Sequence, residues 1–239
     1  MTDTFDTFQP VNRPTPAEPL RGLTVLVVED SRFASEALRL MCLHSGARVR
    51  RADCLRSAER HLSTYRPSVT IVDLVLPDGS GLDLIGRLDG RVPRLPVILA
   101  TSGDPGMESA ARDAGAQGFL AKPLDDLYTF QRTVIGALPG HARPGRFEVK
   151  ATAIEPDPAT LREDLAIAGR TLRTATPGPE ADYVAQFLAG LGRSTADRDL
   201  EEAAASLRGL PLGQAAERLE KLRGLVVARL RAGQVGARL

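Results

Sequence analysis

Five side chains stand where they can do chemistry: Glu29, Asp30, Asp73, Thr101 and Lys122. Each closely follows an apolar run. Residues 23–28 lead into the adjacent acids Glu29 and Asp30, and residues 69–72 lead into Asp73. Residues 96–100 lead into Thr101 and Ser102, and residues 117–120 lead into Ala121-Lys122-Pro123. Three carboxylates brought together are destabilised in their charged forms unless a positive charge joins them. A hard divalent cation with oxygen ligands meets that need, and Mg2+ suits a few carboxylates, waters and a phosphoryl oxygen. Lys122 would add a fixed ammonium, and Thr101 a hydroxyl. Cation, ammonium, hydroxyl and a nucleophilic carboxylate are the parts needed to move a phosphoryl group.

Such a convergence requires that the runs be parallel strands of one sheet. Runs at 23–28, 47–51, 69–72, 96–100 and 117–120 read as five strands, several of them apolar throughout, as a sheet covered on both faces requires. Helical patterns fall between them. Ser31 is placed to cap a helix over 31–45, with Phe33, Ala37, Leu38, Met41 and Cys42 on its apolar face. Further helices are expected at 55–65, 83–88, 105–114 and 125–138, with the turn-rich stretch LVLPDGSG before the third of the five. The alternation predicts an α/β fold with a doubly wound, five-stranded parallel sheet. In such sheets ligands bind beyond the carboxyl ends of the strands.

The chain has 239 residues, enough for one large or two small domains. Lys and Arg number 31 against 30 Asp and Glu, so no net charge drives the whole chain to nucleic acid or an anionic membrane. The two cysteines, Cys42 and Cys54, lack metal-ligand spacing and read as reduced thiols in or near the core. No apolar run approaches the ~18 residues of a membrane span. The N-terminal stretch carries acids and prolines without the apolar core of a secretory signal. A cytoplasmic location is the expectation.

The motifs VVED, TIVDLVLPDGSG, ILATSGD and FLAKPL occur in the order and approximate spacing of a known family. Residues from about Gly22 to Leu138 resemble the receiver domain of a two-component response regulator, of the kind that resembles chemotaxis regulators and has a flavodoxin-like fold. The resemblance implies that Asp73 accepts a phosphoryl group from a histidine kinase or histidine phosphotransfer protein. It implies that Glu29 and Asp30 hold Mg2+ with Asp73 and the backbone carbonyl of Val75. Thr101, rather than the adjacent Ser102, matches the hydroxyl that reaches the phosphoryl oxygen, and Lys122 the lysine that pairs with it. A cis bond is implied before Pro123. Phe119 matches the aromatic switch position, commonly a Tyr. Beyond self-phosphorylation and self-dephosphorylation, no enzyme activity is implied. The apolar Val75 side chain cannot orient a water, so self-dephosphorylation is expected to be slow.

Residues 1–21 read as a disordered tail, 22–138 as the receiver, 139–157 as a linker, 158–233 as a helical domain and 234–239 as a flexible end. Within the linker, FEVKATAI alternates and is as compatible with a strand. Four helices are expected after it. Asp157 caps the first, over 158–174, with Pro158 in its first turn. The second spans 180–191. The third spans 194–208, opened by Ser194-x-x-Asp197 as a capping-box variant. The fourth spans 212–232, with Leu212, Ala216, Leu219, Leu222, Val226 and Leu230 on one face. No catalytic motif occurs here. A weak likeness to histidine phosphotransfer domains sets Ala205 where the reactive histidine would stand. Three outputs follow: protein interaction or homodimerisation through the helical domain; DNA binding through Arg218, Lys221 and Arg223; or a phosphate sink or relay.

Overall fold

In the computed structural model, residues 13–140, 154–207 and 212–235 are described, with side chains in the last segment for 215–232. Five parallel strands, β1 (Thr24–Val28), β2 (Arg48–Ala52), β3 (Val69–Asp73), β6 (Ile98–Ser102) and β7 (Gly118–Ala121), pair in the order β2-β1-β3-β6-β7. The order reverses between β1 and β3, so Glu29, Asp30 and Asp73 fall at the switch point. The stretch after β3 adds something not expected from its turn formers, an antiparallel hairpin of β4 (Val75–Leu76) and β5 (Gly79–Ser80). It brings Gly81 against Asp73. A Cβ there would lie 2.0 Å from the Asp73 carbonyl oxygen, so only glycine fits.

Helices α1 (Arg32–His44), α2 (Leu55–Thr64), α3 (Gly81–Asp89), α4 (Glu108–Asp113) and α5 (Leu127–Ala137) cover the two faces. One apolar cluster joins Val25, Val27, Ile71 and Leu99 to α1 and α5. The other joins Leu26, Val28, Val72 and Ile98 to α2, α3 and α4. Alternate residues of each central strand therefore enter opposite cores, which is why those strands read as continuously apolar. Ser31 caps α1 as its type suggests, accepting from the Ala34 N–H at 3.1 Å. The short α4 is preceded by a 3-10 turn over Pro105–Met107, so the single helix expected at 105–114 is divided. Lys122-Pro123 is a cis peptide, in agreement with the resemblance.

The tail expected to reach residue 21 ends earlier among the described residues. Leu20 is fully buried against α1, and its N–H donates to the Ser45 carbonyl at 2.8 Å. In the expected linker, FEVKATAI falls outside the described residues except for Ile154, which is buried in the core between the sheet, α1 and α5.

The helices α6 (Pro158–Thr174), α7 (Pro179–Ser194), α8 (Arg198–Ala205) and α9 (Leu212–Val235) form a second layer with its own core, including Leu165, Leu172, Leu188, Leu200, Leu222 and Val226. Asp157 caps α6 through the Ala159 N–H at 2.8 Å. The proposed Ser194 cap is not formed. α7 continues through Ser194, whose hydroxyl donates to the Gly190 carbonyl, and Asp197 alone caps α8. On α9 the buried position is Ala215, while Ala216 is exposed; Leu219, Leu222 and Val226 are buried as the periodicity predicts. Arg223 does not face outward. Its guanidinium donates to the Leu172 and Ala175 carbonyls at the end of α6, where a cation is favoured.

Candidate phosphoacceptor site

The strand ends bring the acids and the lysine into one pocket. One carboxylate oxygen each from Glu29, Asp30 and Asp73 lies within 4.8 Å of the others. Lys122 reaches across from the end of β7. Its ammonium donates to Asp73 Oδ2 at 2.8 Å and to Glu29 Oε1 at 3.0 Å. The Val75 N–H donates to Asp73 Oδ1 at 3.2 Å, so the loop after β3 holds the acid by its backbone. Glu29 and Asp73 are buried, with relative exposures of 2% and 5%.

Burial and charge together set the electrostatics. Burial, followed by the Asp73 charge, pushes Asp30 up to about 7, against opposing hydrogen bonding from Tyr183 and the Lys122 charge. Glu29 is also raised, by burial first and then by Asp73 and Asp30, with Lys122 opposing. For Lys122, burial alone would favour the neutral amine, but Asp73 and Glu29 outweigh it and hold the ammonium. One ammonium among three carboxylates leaves the pocket short of positive charge. Glu29 Oε2 is 2.8 Å from Lys122 yet has no hydrogen-bond donor directed at it. Hard oxygen donors, excess negative charge and a buried orphan oxygen fit a small divalent cation such as Mg2+.

Thr101 pairs with Asp73 in strand register, but its hydroxyl donates to the Leu120 carbonyl at 2.8 Å. Ser102 lines the pocket instead, its Oγ accepting from the Asp104 N–H at 3.1 Å. Phe119 is half-buried against the core on the α3 and α4 side.

Two residues next to the pocket were not found from sequence. Tyr183 of α7 donates its hydroxyl to Asp30. Asp164 of α6, 1% exposed, accepts from Ser31 Oγ at 2.9 Å and from the Arg32 and Phe33 N–H groups at 3.0 and 3.1 Å. It thus caps α1 from another element, where the helix dipole favours a carboxylate. A signal for Asp164 existed: it is an acid on the apolar stripe of Leu161, Leu165, Ala168 and Leu172. Nothing in the sequence distinguishes Tyr183. Ala205 also lines the pocket.

Residues 25–131 match the family described as response regulator receiver domain. The virulence transcriptional regulatory protein PhoP of Salmonella typhimurium is 34% identical over 103 residues, 43% of this chain and 46% of PhoP. The KDP operon transcriptional regulatory protein KdpE of Escherichia coli is 31% identical over 143 residues, 60% of this chain and 59% of KdpE. The chain therefore spans about half the length of the curated relatives it matches. The chemotaxis response regulator CheY4 of Vibrio cholerae overlays 48% of this chain and 98% of its own, at 23% identity and a TM-score of 0.44. The matched motifs and the β2-β1-β3-β6-β7 sheet agree, and residues 25–131 of this chain are a response regulator receiver domain.

Proposed function

We propose that the protein is a response regulator that takes a phosphoryl group onto Asp73 from a phosphohistidine donor and signals by protein interaction through α6–α9. The observation that carries this is the buried Asp73 carboxylate held by Lys122 beside Glu29 and Asp30. In the transfer, an Asp73 oxygen forms a bond to phosphorus as the phosphorus–nitrogen bond of the donor breaks. The electron pair leaves with the imidazole, which takes up a proton, and an acyl phosphate remains. Lys122 stays paired with the added negative charge. Mg2+ bound by Glu29, Asp30, Asp73 and the Val75 carbonyl would supply charge neutralisation for the phosphoryl oxygens. Thr101 can follow the phosphoryl group only by giving up its bond to Leu120, which couples occupancy of the site to the β6–β7 edge, where Phe119 also lies.

The test is uptake of phosphate from a small donor such as phosphoramidate, with and without Mg2+. Uptake that needs Mg2+ supports the reading; none under either condition contradicts it. Once formed, the acyl phosphate should be lost slowly, because the Val75 side chain offers no hydrogen bond to an attacking water. A half-life measured in seconds without added phosphatase would refute that expectation.

The names of PhoP and KdpE favour a transcriptional role for those proteins. Here Arg223 is tied to α6, and Leu219, Leu222 and Val226 are core, leaving Arg218 and Lys221 as the exposed cations of the candidate recognition surface. Protein interaction is therefore preferred. DNA retention that falls steeply with salt would reverse that preference.

A further inference from the structure

The helical layer sits on the phosphoacceptor pocket. Gln186, Phe187, Gly190 and Arg193 of α7 line a cavity whose opposite wall includes Asp73 and Lys122. Its volume is about 60 Å³, room for roughly two waters. In-line attack by Asp73 places the leaving imidazole on the far side of phosphorus, where α7 now runs. A phosphorylated histidine on another protein cannot enter such a space.

The contacts that hold α6 and α7 there are specific. Asp164 takes three hydrogen bonds from the first turn of α1, and Tyr183 binds Asp30. Arg32 pairs with Glu163 at 2.8 Å, and Phe33 packs into the core of the helical layer. Arg193 lies so close to Gly103 that a Cβ there would stand 2.7 Å from its Nε. Apart from Phe33, these contacts are largely polar, and water can replace them when the layers separate.

We propose that the first turn of α1 and the rim of the acidic pocket form one docking surface with two alternative occupants. One is the chain's own helical layer, latched by Asp164 and Tyr183. The other is the phosphohistidine-bearing donor, which must displace it. This rests on the reading of Asp73 as phosphoacceptor. A cleft of about 780 Å³ beside the cavity, lined by Glu29, Asp30, Asp164 and Tyr183 but not by Asp73, leaves a cation a route to Glu29 and Asp30 while the latch is closed. The Tyr183 hydroxyl and a cation both seek the Asp30 oxygens, so each weakens the hold of the other.

Three measurements on the full chain test this. Small-angle scattering of Asp164→Ala/Tyr183→Phe should give a larger radius of gyration than wild type. Phosphoryl uptake from phosphoramidate should be about tenfold faster in that variant, the scale of losing charged hydrogen bonds that hold the layers together. Calorimetric titration with Mg2+ should show several-fold tighter binding in Tyr183→Phe. Unchanged dimensions, equal uptake rates or unchanged Mg2+ affinity would each overturn the latch. Tyr183→Phe removes only a hydroxyl, so it supplies all three comparisons if the double variant does not fold. If no form takes up phosphate, the phosphoacceptor reading fails, and scattering and Mg2+ binding still decide the latch.

Discussion

Asp73→Asn is expected to take up no acid-labile phosphate while remaining folded. The amide keeps the shape of the carboxylate but lacks an oxygen able to attack phosphorus and form an acyl phosphate. Loss of the fold would be the trivial explanation for such a result, and the electrostatics argue against it. Asp73 raises the proton affinity of both Glu29 and Asp30, so its charge is a burden on its neighbours. Lys122 keeps Glu29 as a partner at 3.0 Å after the substitution. The amide oxygen can still accept from the Val75 N–H. The melting temperature without Mg2+ should therefore be unchanged or higher, and phosphate-affinity electrophoresis should show a single unshifted band. A shifted band in Asp73→Asn would contradict the assignment.

The second large effect concerns pH and Mg2+. An unfolded aspartate titrates near its ordinary value, whereas burial and the Asp73 charge push folded Asp30 up to about 7. The folded state thus binds the proton more tightly. Its contribution to stability is fully present below the unfolded pKa and is lost as pH rises through about 7. At about 1.4 kcal/mol per unit the loss from Asp30 is on the order of 4 kcal/mol at most. Glu29, raised for the same first reason, acts in the same direction. Thermal melts without divalent ions should fall from pH 5 to 8, and saturating Mg2+ should restore most of the loss at pH 8, where protons no longer compete for the carboxylates. Melts that rise over this range without metal would contradict the account.

The receiver half was legible because its physics is local. Buried strands must be apolar, their ends must turn, and acids or a lysine at those turns face one crevice whichever helices cover the sheet. Boundaries shifted by a few residues where end residues can join strand or loop, as at Asp73 and Ser102, both of which lie within strands. The hairpin 75–80 was missed because two residues per strand give no period to read. In the helical half the apolar spacing located four helices. It did not reveal that the third is capped by Asp197 rather than Ser194, because a continuing helix and a new cap use the same small polar residues. The largest omission was the contact between layers. Asp164 reads as an unexplained acid on the apolar stripe of α6 until the first turn of α1 is seen to start against it, and Tyr183 reads as core beside Phe187 until Asp30 is seen to receive its hydroxyl. Contacts of such sequence separation leave no local pattern. Arg223 illustrates the same point, since its exposed-looking position conceals a role in closing α6.

The central claim is that a phosphoryl group is carried by Asp73 and by no other acid of the pocket. The direct measurement is to phosphorylate wild-type protein with phosphoramidate and Mg2+, reduce the acyl phosphate with borohydride, and locate the resulting alcohol by peptide mass spectrometry. The account predicts reduction at Asp73 alone, with none when Mg2+ is withheld. Reduction at Glu29, at Asp30 or outside the pocket would contradict it.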